Sequence, residues 1–334
     1  MLLIALSFSL KSASRFIPKN ISGKFGKPKV FCFMKKLFFC ICLIAILLVA
    51  NSKAYCQVPD FSKVPNVHAG DSLNITSLLN NGVKVNSDKV ICWFPKDSLS
   101  QERMDEIVAL ISKGVDATEK YLKAPLVWQV HPFLEPYTFY FRNDRFVSHG
   151  SLAGFVSIPF WRIKENKAPW LHEALHEMLY SKSEDLVYRS ISDSEFYKII
   201  PLWLFEGLPE YISTEVLKLQ KVDAFDVFSN SYNSNYDSLF VKEVQGENGK
   251  YVLSFIGNRG VIPELFTEKR SSYAPTFYHG SASFVKYLVS HYSLELLLSA
   301  ISSFRKEHEV IEKACGKPIE TLKKEWLTSL RIVN

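Results

Sequence analysis

The spacing of apolar residues predicts an α/β segment in the first part of the chain. Residues 89–95 (KVICWFP) are mostly apolar and end at a proline, which indicates a strand. Residues 100–122 repeat apolar positions every three or four residues, which is typical of an amphipathic helix, and Ser98 or Ser100 can cap it. Further strands are predicted at residues 126–130, 137–141 and 152–160. These elements predict an α/β lobe over residues 88–181.

Beyond this lobe the pattern predicts mainly helices. Apolar residues recur at helical spacing in residues 184–200, 201–217, 280–292, 294–304 and 319–330. Residues 57–87 are rich in Ser, Asn, Asp and Gly, so we expect an irregular N-terminal segment there. Residues 220–275 are polar, which predicts a long loop able to cover a site. The predicted fold class is therefore α+β, with one domain over residues 88–334 whose second, helical lobe spans residues 182–334.

Charge is divided unevenly along the chain. The formal net charge is +6, but residues 1–56 contain nine basic residues and no acidic one. The remainder has 31 basic against 34 acidic residues, which is a charge of about −3. Because the basic excess lies in this leader, a nucleic-acid partner is not expected.

The leader has the layout of a secretory signal peptide. Two lysines precede the fourteen apolar residues 37–50, and small residues follow. Translation is expected to begin at Met34, and cleavage after Ala54 or Cys56 fits the pattern. The apolar run is short for a membrane span, so we expect an exported protein that is periplasmic, on the cell surface or extracellular. The alternative is an uncleaved leader that anchors the protein in a membrane.

Cysteine usage leaves two residues, Cys92 and Cys315, beyond the leader. In an exported protein these two could form one disulfide or remain as free buried thiols. The sequence contains no CxxC pair, which excludes a cysteine-rich zinc site. Any zinc site in this chain would therefore use histidine and carboxylate ligands.

Residues 170–180 (WLHEALHEMLY) carry the clearest candidate chemistry. Pro169 suits the first turn of a helix, so the helix is expected to begin at this motif. Four residues bring a side chain back to nearly the same helix face, so His172 and His176 can bind one metal ion. Glu173 lies about 100° round the helix, where it can reach a water at the open coordination position. The alternative is an ordinary amphipathic helix that carries three polar side chains.

A hydrolytic zinc site needs a third protein ligand and one open position. Residues 201–212 (PLWLFEGLPEYI) offer Glu206 as that ligand, with Glu210 one helical turn later to accept the ring N–H of a ligand histidine. Two carboxylates at this spacing can also form a solvated helix face. Here they lie among large apolar residues, where an unpaired charge is costly. Zinc is expected from the ligand types, although other divalent ions could occupy such a site.

Together the two motifs resemble the gluzincin zinc metallopeptidases, which form the thermolysin-like clan. HEALH is followed, after 29 intervening residues, by the glutamate of WLFEGLPEY. This is more closely similar to the bacterial peptidase-MA-like domains, whose second motif is approximately W-x-x-E-G-x-x-E-Y. FYHGSASFVKYL and ACGKPIETLKKEW resemble the family's tyrosine-bearing helix and its closing helix. The resemblance covers roughly residues 88–330, and the two metal motifs are its specific part.

This resemblance implies a zincin-like, two-lobed metallopeptidase, with the HExxH helix in the N-terminal mixed-sheet lobe. By position, His172, His176 and Glu206 inherit the zinc-ligand roles. Glu173 inherits the role of general base, so the expected reaction is hydrolysis of peptide or protein substrates by a zinc-activated water. Tyr278 matches the family tyrosine that stabilises charge on the carbonyl oxygen, although a tyrosine packed at a helix start is equally expected.

Three features of the chain refine this expectation. Residues 152–160 are expected to be the edge strand that pairs with an extended substrate. Within them, residues 154–158 (GFVSI) have no carboxylate where the family's aminopeptidases hold a substrate amino terminus, which argues against an aminopeptidase. Pro209 is expected to kink the helix or to restart it between Glu206 and Glu210.

A function of a different class is also compatible with the motifs. The chain could be a non-catalytic binding module, at the cell surface or in the periplasm, in which zinc stiffens the fold. Occupation of the open metal position by a protein side chain would favour this alternative. The histidines outside the two motifs, His149 among them, have no ligand-like spacing, so we expect them at the surface or in packing roles.

Overall fold

The described part of the chain begins at the first helix after the leader. The computed structural model describes residues 69–123, 135, 137–145, 147–151, 154–180, 200–220, 235–258, 260–302 and 308–332. All of these belong to one unit, Val58–Asn334. Among them, no helix is both long and apolar enough to cross a membrane. The predicted leader and the predicted strand at 126–130 lie outside the described residues, as does all but the last residue of the predicted helix at 184–200.

A five-stranded mixed sheet forms in the first part of the described chain. Its strands, in the spatial order β1-β2-β3-β5-β4, are β1 (Val83–Asn86), β2 (Ile91–Phe94), β3 (Thr138–Arg142), β4 (His149–Ser151) and β5 (Phe155–Pro159). The outer pairs, β1 with β2 and β4 with β5, are antiparallel, and the two inner pairs are parallel. The strands predicted at 89–95 and 137–141 are confirmed by β2 and β3. The expectation that residues 152–160 form the edge strand is wrong, because β4 adds a further strand outside β5.

Helices make up most of the other described residues. They are α1 (Ala69–Asn81), α2 (Gln101–Leu122), α3 (Phe160–Lys164), α4 (Trp170–Tyr180), α5 (Leu202–Gln220), α6 (Tyr236–Val244), α7 (Gly249–Leu253), α8 (Arg270–Tyr292), α9 (Leu294–Ser302), α10 (His308–Cys315) and α11 (Ile319–Ser329), with a 3₁₀ turn at Pro263–Phe266. The helices predicted at 201–217, 294–304 and 319–330 are confirmed by α5, α9 and α11. The fold class is thus α+β, with a mixed sheet and mostly helical content.

Both faces of the sheet are covered by helices. Phe139 and Phe141 of β3 join the main core with residues of α2 and α4. Tyr140 and Phe155 instead pack with Ile75 of α1 on the other face. Because successive side chains of a strand point to opposite faces, a strand covered on both sides is buried throughout, as β3 is. The prediction of an irregular segment is therefore wrong for residues 69–86, which form α1 and β1.

The boundaries of α2 follow the expected local signals. Ser100, one of the two expected caps, accepts a hydrogen bond from the backbone N–H of Arg103 at 3.3 Å. Lys123 ends the helix in the left-handed conformation, with φ of 52°. In the middle of α2, a Cβ at Gly114 would overlap the ring of Trp170. This glycine lets α2 pack closely on α4, which carries HEALH.

The segment 220–275 contains more regular structure than its polar composition predicted. α6, α7 and the first turns of α8 lie within it, so the predicted long loop is wrong for these residues. Phe240, Val252 and Ile256 are fully buried and anchor the segment on the helical core. A few large apolar side chains are sufficient to hold short helices against an existing core, even where the intervening residues are polar.

The two cysteines beyond the leader do not form a disulfide. Cys92 and Cys315 are both free and both buried, which confirms the alternative of free buried thiols. Burial raises the pKa of Cys315 to about 11 and raises that of Cys92 as well. Both side chains are therefore protonated at neutral pH and behave as small apolar residues.

Candidate metal centre

α4 presents both histidines of HEALH on one face. Its first turn begins at Pro169, whose carbonyl accepts a hydrogen bond from the Glu173 N–H at 3.0 Å. The rings of His172 and His176 lie 4.8 Å apart between centroids, and their Nε2 atoms are 3.1 Å apart. Leu171 on the opposite face is completely buried in the core. The helix therefore directs two imidazole nitrogens at a common point.

α5 brings a carboxylate to the same point. The Glu206 Oε2 lies 3.3 Å from the His172 Nε2 and 3.6 Å from the His176 Nε2. The three atoms all lie within 4.8 Å of one another. A tetrahedral zinc ion with ligands at about 2.0–2.2 Å separates its ligand atoms by roughly 3.3 Å. The spacing and the chemical types of these donors thus fit zinc.

A glycine allows α5 to approach α8 closely beside this carboxylate. A Cβ at Gly207 would lie 2.8 Å from the backbone of Ser281 and 2.9 Å from its Cβ. α5 also packs against α4, and its residues Trp203 and Leu208 are both fully buried. Glu206, next to Gly207, is therefore held between two tightly packed helices.

Pro209 does not interrupt α5. The helix runs from Leu202 to Gln220 with Pro209 inside it, so the restart expected between Glu206 and Glu210 does not occur. A proline removes one helical N–H, but buried residues on both sides, Leu208 and Ile212, hold the helix by packing. Glu210 consequently stays one turn after Glu206, and its Oε2 lies 3.2 Å from the His172 Nδ1.

Two carboxylates control the ionisation of His172. Burial lowers the pKa of its imidazole, but the contacts with Glu206 and Glu210 outweigh burial and raise the pKa well above 6.5. Burial likewise raises the pKa of Glu206, and the two histidines reverse this, so that its pKa falls below its ordinary value. For both His172 and Glu206, contacts with neighbours of opposite charge outweigh the effect of burial on the pKa.

Glu173 points to the edge strand of the sheet. It is 6% exposed, and its Oε2 accepts a hydrogen bond from the Gly150 N–H of β4 at 3.0 Å. Glu177 lies one turn later, and burial together with the nearby charge of Glu173 raises its pKa well above 4.5. The contact of Gly150 with Glu173 was not predicted, because nothing local to residue 150 indicates contact with a helix that begins twenty residues later.

Tyr278 lies on the other side of the histidine pair. Its ring centroid is 6.1 Å from that of His172, and its hydroxyl oxygen accepts a hydrogen bond from Arg270 at 3.1 Å. The neighbouring His279 points elsewhere, with its Nδ1 2.9 Å from a carboxylate oxygen of Glu243. Tyr278 is 7% exposed, so it is buried as well as close to His172.

The aromatic side chain of Phe205 also belongs to the cluster, although its residue type predicts only an apolar packing role. Phe205 stacks on the ring of His176, with centroids 4.1 Å apart and planes at 25°. This stacking limits rotation of the imidazole, as a ligand histidine requires. The structure therefore brings together all six residues named from the sequence: His172, Glu173, His176, Glu206, Glu210 and Tyr278.

The chain matches no family model, no curated protein and no solved structure. One buried region contains the three converging donors of His172, His176 and Glu206. The carboxylate of Glu173 on α4 and the phenol of Tyr278 on α8 lie in the same region. Such an arrangement can hold a divalent cation, accept a proton beside it and donate a hydrogen bond to a nearby oxygen.

Proposed function

We propose that this protein is an exported zinc-dependent peptidase of the gluzincin type, with a zincin-like, two-lobed domain. The observation that carries the proposal is the convergence of His172, His176 and Glu206 at the spacing of a tetrahedral ion, with Glu173 next to His172 on the same helix. Two features of the sequence support the proposal: the signal-peptide layout of the leader supports export, and the resemblance to the peptidase-MA-like domains supports the peptidase class.

His172, His176 and Glu206 would hold the ion, and Glu210 would fix the ring of His172 through its Nδ1. When bound, zinc would supply a Lewis acid that polarises the substrate carbonyl and lowers the pKa of a water. Three protein ligands leave a fourth position open, which distinguishes catalytic from purely structural zinc sites.

Glu173 is the proposed general base. Because the Gly150 N–H holds its Oε2, the other carboxylate oxygen is the one that would accept a proton from the attacking water. The same carboxylate would then pass that proton to the nitrogen of the leaving amine. The burial of Glu173 would limit exchange of the proton with bulk water.

Tyr278 is the proposed donor to the carbonyl oxygen, on which negative charge develops during the reaction. Arg270 donates to the phenol oxygen at 3.1 Å and would therefore orient the O–H of Tyr278 away from itself. A peptide or protein is the proposed substrate, as the resemblance of the two motifs to the peptidase-MA-like domains implies.

The proposal is tested by Glu173→Gln, compared with Glu215→Gln as a control on α5 that alters a partly exposed carboxylate paired with Lys218. Peptides cleaved by the wild type would first be identified by mass spectrometry of a broad peptide library. Glu173→Gln should retain stoichiometric zinc while kcat falls by about 10²- to 10⁴-fold. Glu215→Gln should match the wild type in both measurements. Glu206→Ala should lose the metal.

Three outcomes would contradict the proposal in different ways. Retained hydrolysis in Glu173→Gln would exclude this residue as the base. Stoichiometric zinc in a wild type that cleaves no peptide would support a non-catalytic zinc module instead. A wild type that binds no zinc in metal analysis, even after incubation with the ion, would exclude the metal centre itself.

A further inference from the structure

A buried ionic cluster lies at the β4 end of the sheet. Asp71 of α1 is at its centre and is 1% exposed. Its Oδ1 accepts a hydrogen bond from the Ser157 hydroxyl at 3.1 Å and lies 3.2 Å from the Arg142 Nη1. Its Oδ2 lies 2.5 Å from the His149 Nε2. One carboxylate thus connects α1 with β3, β4 and β5.

The partners of Asp71 keep it ionised inside the protein. Burial alone would raise the pKa of this carboxyl, but the contacts with His149, Arg142 and Ser157 lower it below 3.8. The side chain of Arg142 is itself fully buried and also pairs with Asp144 at 2.7 Å. A buried charge of this kind holds its partners firmly, because separation would leave it uncompensated.

His149 connects this cluster to the candidate general base. It directly precedes Gly150, whose N–H donates to the Glu173 Oε2. It also faces Ser157 across β4 and β5, so Asp71 contacts both members of one cross-strand pair. β4 has only three residues and pairs with β5 alone in the described sheet, so its position depends on side-chain anchors as well as on backbone hydrogen bonds.

The contact between β4 and α4 leaves little room for displacement. A Cβ at Gly150 would lie 2.5 Å from the Glu173 carbonyl oxygen and 3.1 Å from the His176 Cβ. Glycine therefore lets the strand lie directly on the metal-binding helix. Any shift of β4 moves the Gly150 N–H relative to the Glu173 carboxylate.

We propose that Asp71 and His149 are positioning residues for the general base: their contact holds β4 where the Gly150 N–H orients the Glu173 carboxylate. The catalytic consequence of this proposal rests on the proposed peptidase function. The contact acts on the base and not on the three metal ligands, so its loss should alter kcat while metal content is retained.

The test compares His149→Leu with His149→Gln. Leucine removes the donor to Asp71, whereas glutamine keeps an N–H group in place of the imidazole Nε2. Neither substitution introduces a charge, and Asp71 keeps its contacts with Arg142 and Ser157 in both variants. Val85→Ala is the matched control, because Val85 is buried in β1, at the opposite edge of the same sheet. Zinc content, kcat, KM and hydrogen exchange of the Gly150 amide are measured on the zinc-loaded full chain.

His149→Leu should lower kcat by about 10- to 100-fold, with KM and zinc content unchanged. Exchange of its Gly150 amide should be at least about tenfold faster than in the wild type. His149→Gln and Val85→Ala should retain both the wild-type kcat and the wild-type protection of Gly150. If His149 contributed only to general stability, His149→Leu and Val85→Ala should have similar effects on kcat and on exchange of the Gly150 amide.

Unchanged Gly150 exchange in His149→Leu would overturn the proposal. Faster exchange with an unchanged kcat would also overturn it, because Gly150 would then not position the base. A wild type that hydrolyses no peptide would contradict the proposed function, and the exchange measurement alone would then decide whether His149 holds Gly150.

Discussion

Among the individual residues, Glu210 connects α5 to His172, a candidate metal ligand on α4. It is 1% exposed, and its Oε2 lies 3.2 Å from the His172 Nδ1. A carboxylate on the second nitrogen of a ligand histidine selects the tautomer that leaves Nε2 free to bind metal, and it raises the basicity of the ring. Glu210 should therefore act on metal affinity more than on the hydrolytic step.

We expect Glu210→Gln to weaken zinc binding by about 10- to 100-fold. Glutamine preserves the volume of the side chain but removes the negative charge beside His172. The affinity would be measured by competition with a chromophoric chelator at fixed pH, with Glu215→Gln as the control on the same helix. Equal zinc affinities of the wild type and Glu210→Gln would show that Glu210 has only a packing role.

At the scale of secondary-structure elements, the site depends on close approaches between helices. Gly207 brings α5 against the Ser281 backbone of α8, and Gly150 brings β4 against α4. Glu206 and Tyr278 lie on α5 and α8, so the distance between these helices sets how the carboxylate faces the phenol. Small residues at these contacts are therefore part of the geometry of the site.

Gly207→Ala should destabilise the protein and disturb the metal centre together. Its Cβ would lie 2.8 Å from the Ser281 backbone, so α5 and α8 must separate, at a cost of about 1–3 kcal/mol in the free energy of unfolding. Urea unfolding and zinc affinity would both be measured, with Glu215→Ala as a control expected to change stability by less than about 0.5 kcal/mol. Unchanged zinc affinity in a destabilised Gly207→Ala would argue against coupling of this contact to the site.

In the whole molecule, the candidate metal centre joins segments that are separate along the chain. Two of its three donor side chains come from α4 and one from α5, and the sheet contacts α4 through β4 and β5. An ion that binds only the folded arrangement stabilises the entire unit, since it shifts the unfolding equilibrium by mass action. Removal of the metal should therefore be visible in global unfolding.

Zinc should raise the thermal unfolding midpoint of the wild type relative to the chelator-treated protein. At a free zinc concentration of about 1,000 times Kd, the stabilisation is about 4 kcal/mol. For a unit of this size the shift is roughly 10 °C. Glu206→Ala should show no such shift, and scanning calorimetry would make the comparison. The same midpoint with and without zinc in the wild type would contradict the metal centre.

The sequence alone was sufficient for features that depend on neighbouring residues. The four-residue spacing of His172 and His176 places both on one face of any helix, and the cap at Ser100 is likewise local. WLFEGLPEY predicted the carboxylate that converges with these histidines, because a hydrolytic zinc site needs a third ligand and Glu206 lies among large apolar residues. The α+β class followed from the same periodicities.

Only the tertiary structure decided the features that depend on residues far apart in the chain. α1 contains few apolar residues and was not predicted from the sequence. It packs on the sheet through contacts with distant residues, such as that of Asp71 with Ser157, 86 residues later. β4 is too short to give a periodic signal, yet it replaces β5 as the edge strand and supplies the N–H for Glu173. The uninterrupted helix through Pro209 likewise depends on packing around it. Local patterns determine which residues can share a helix face, whereas the close packing of distant segments determines which groups meet.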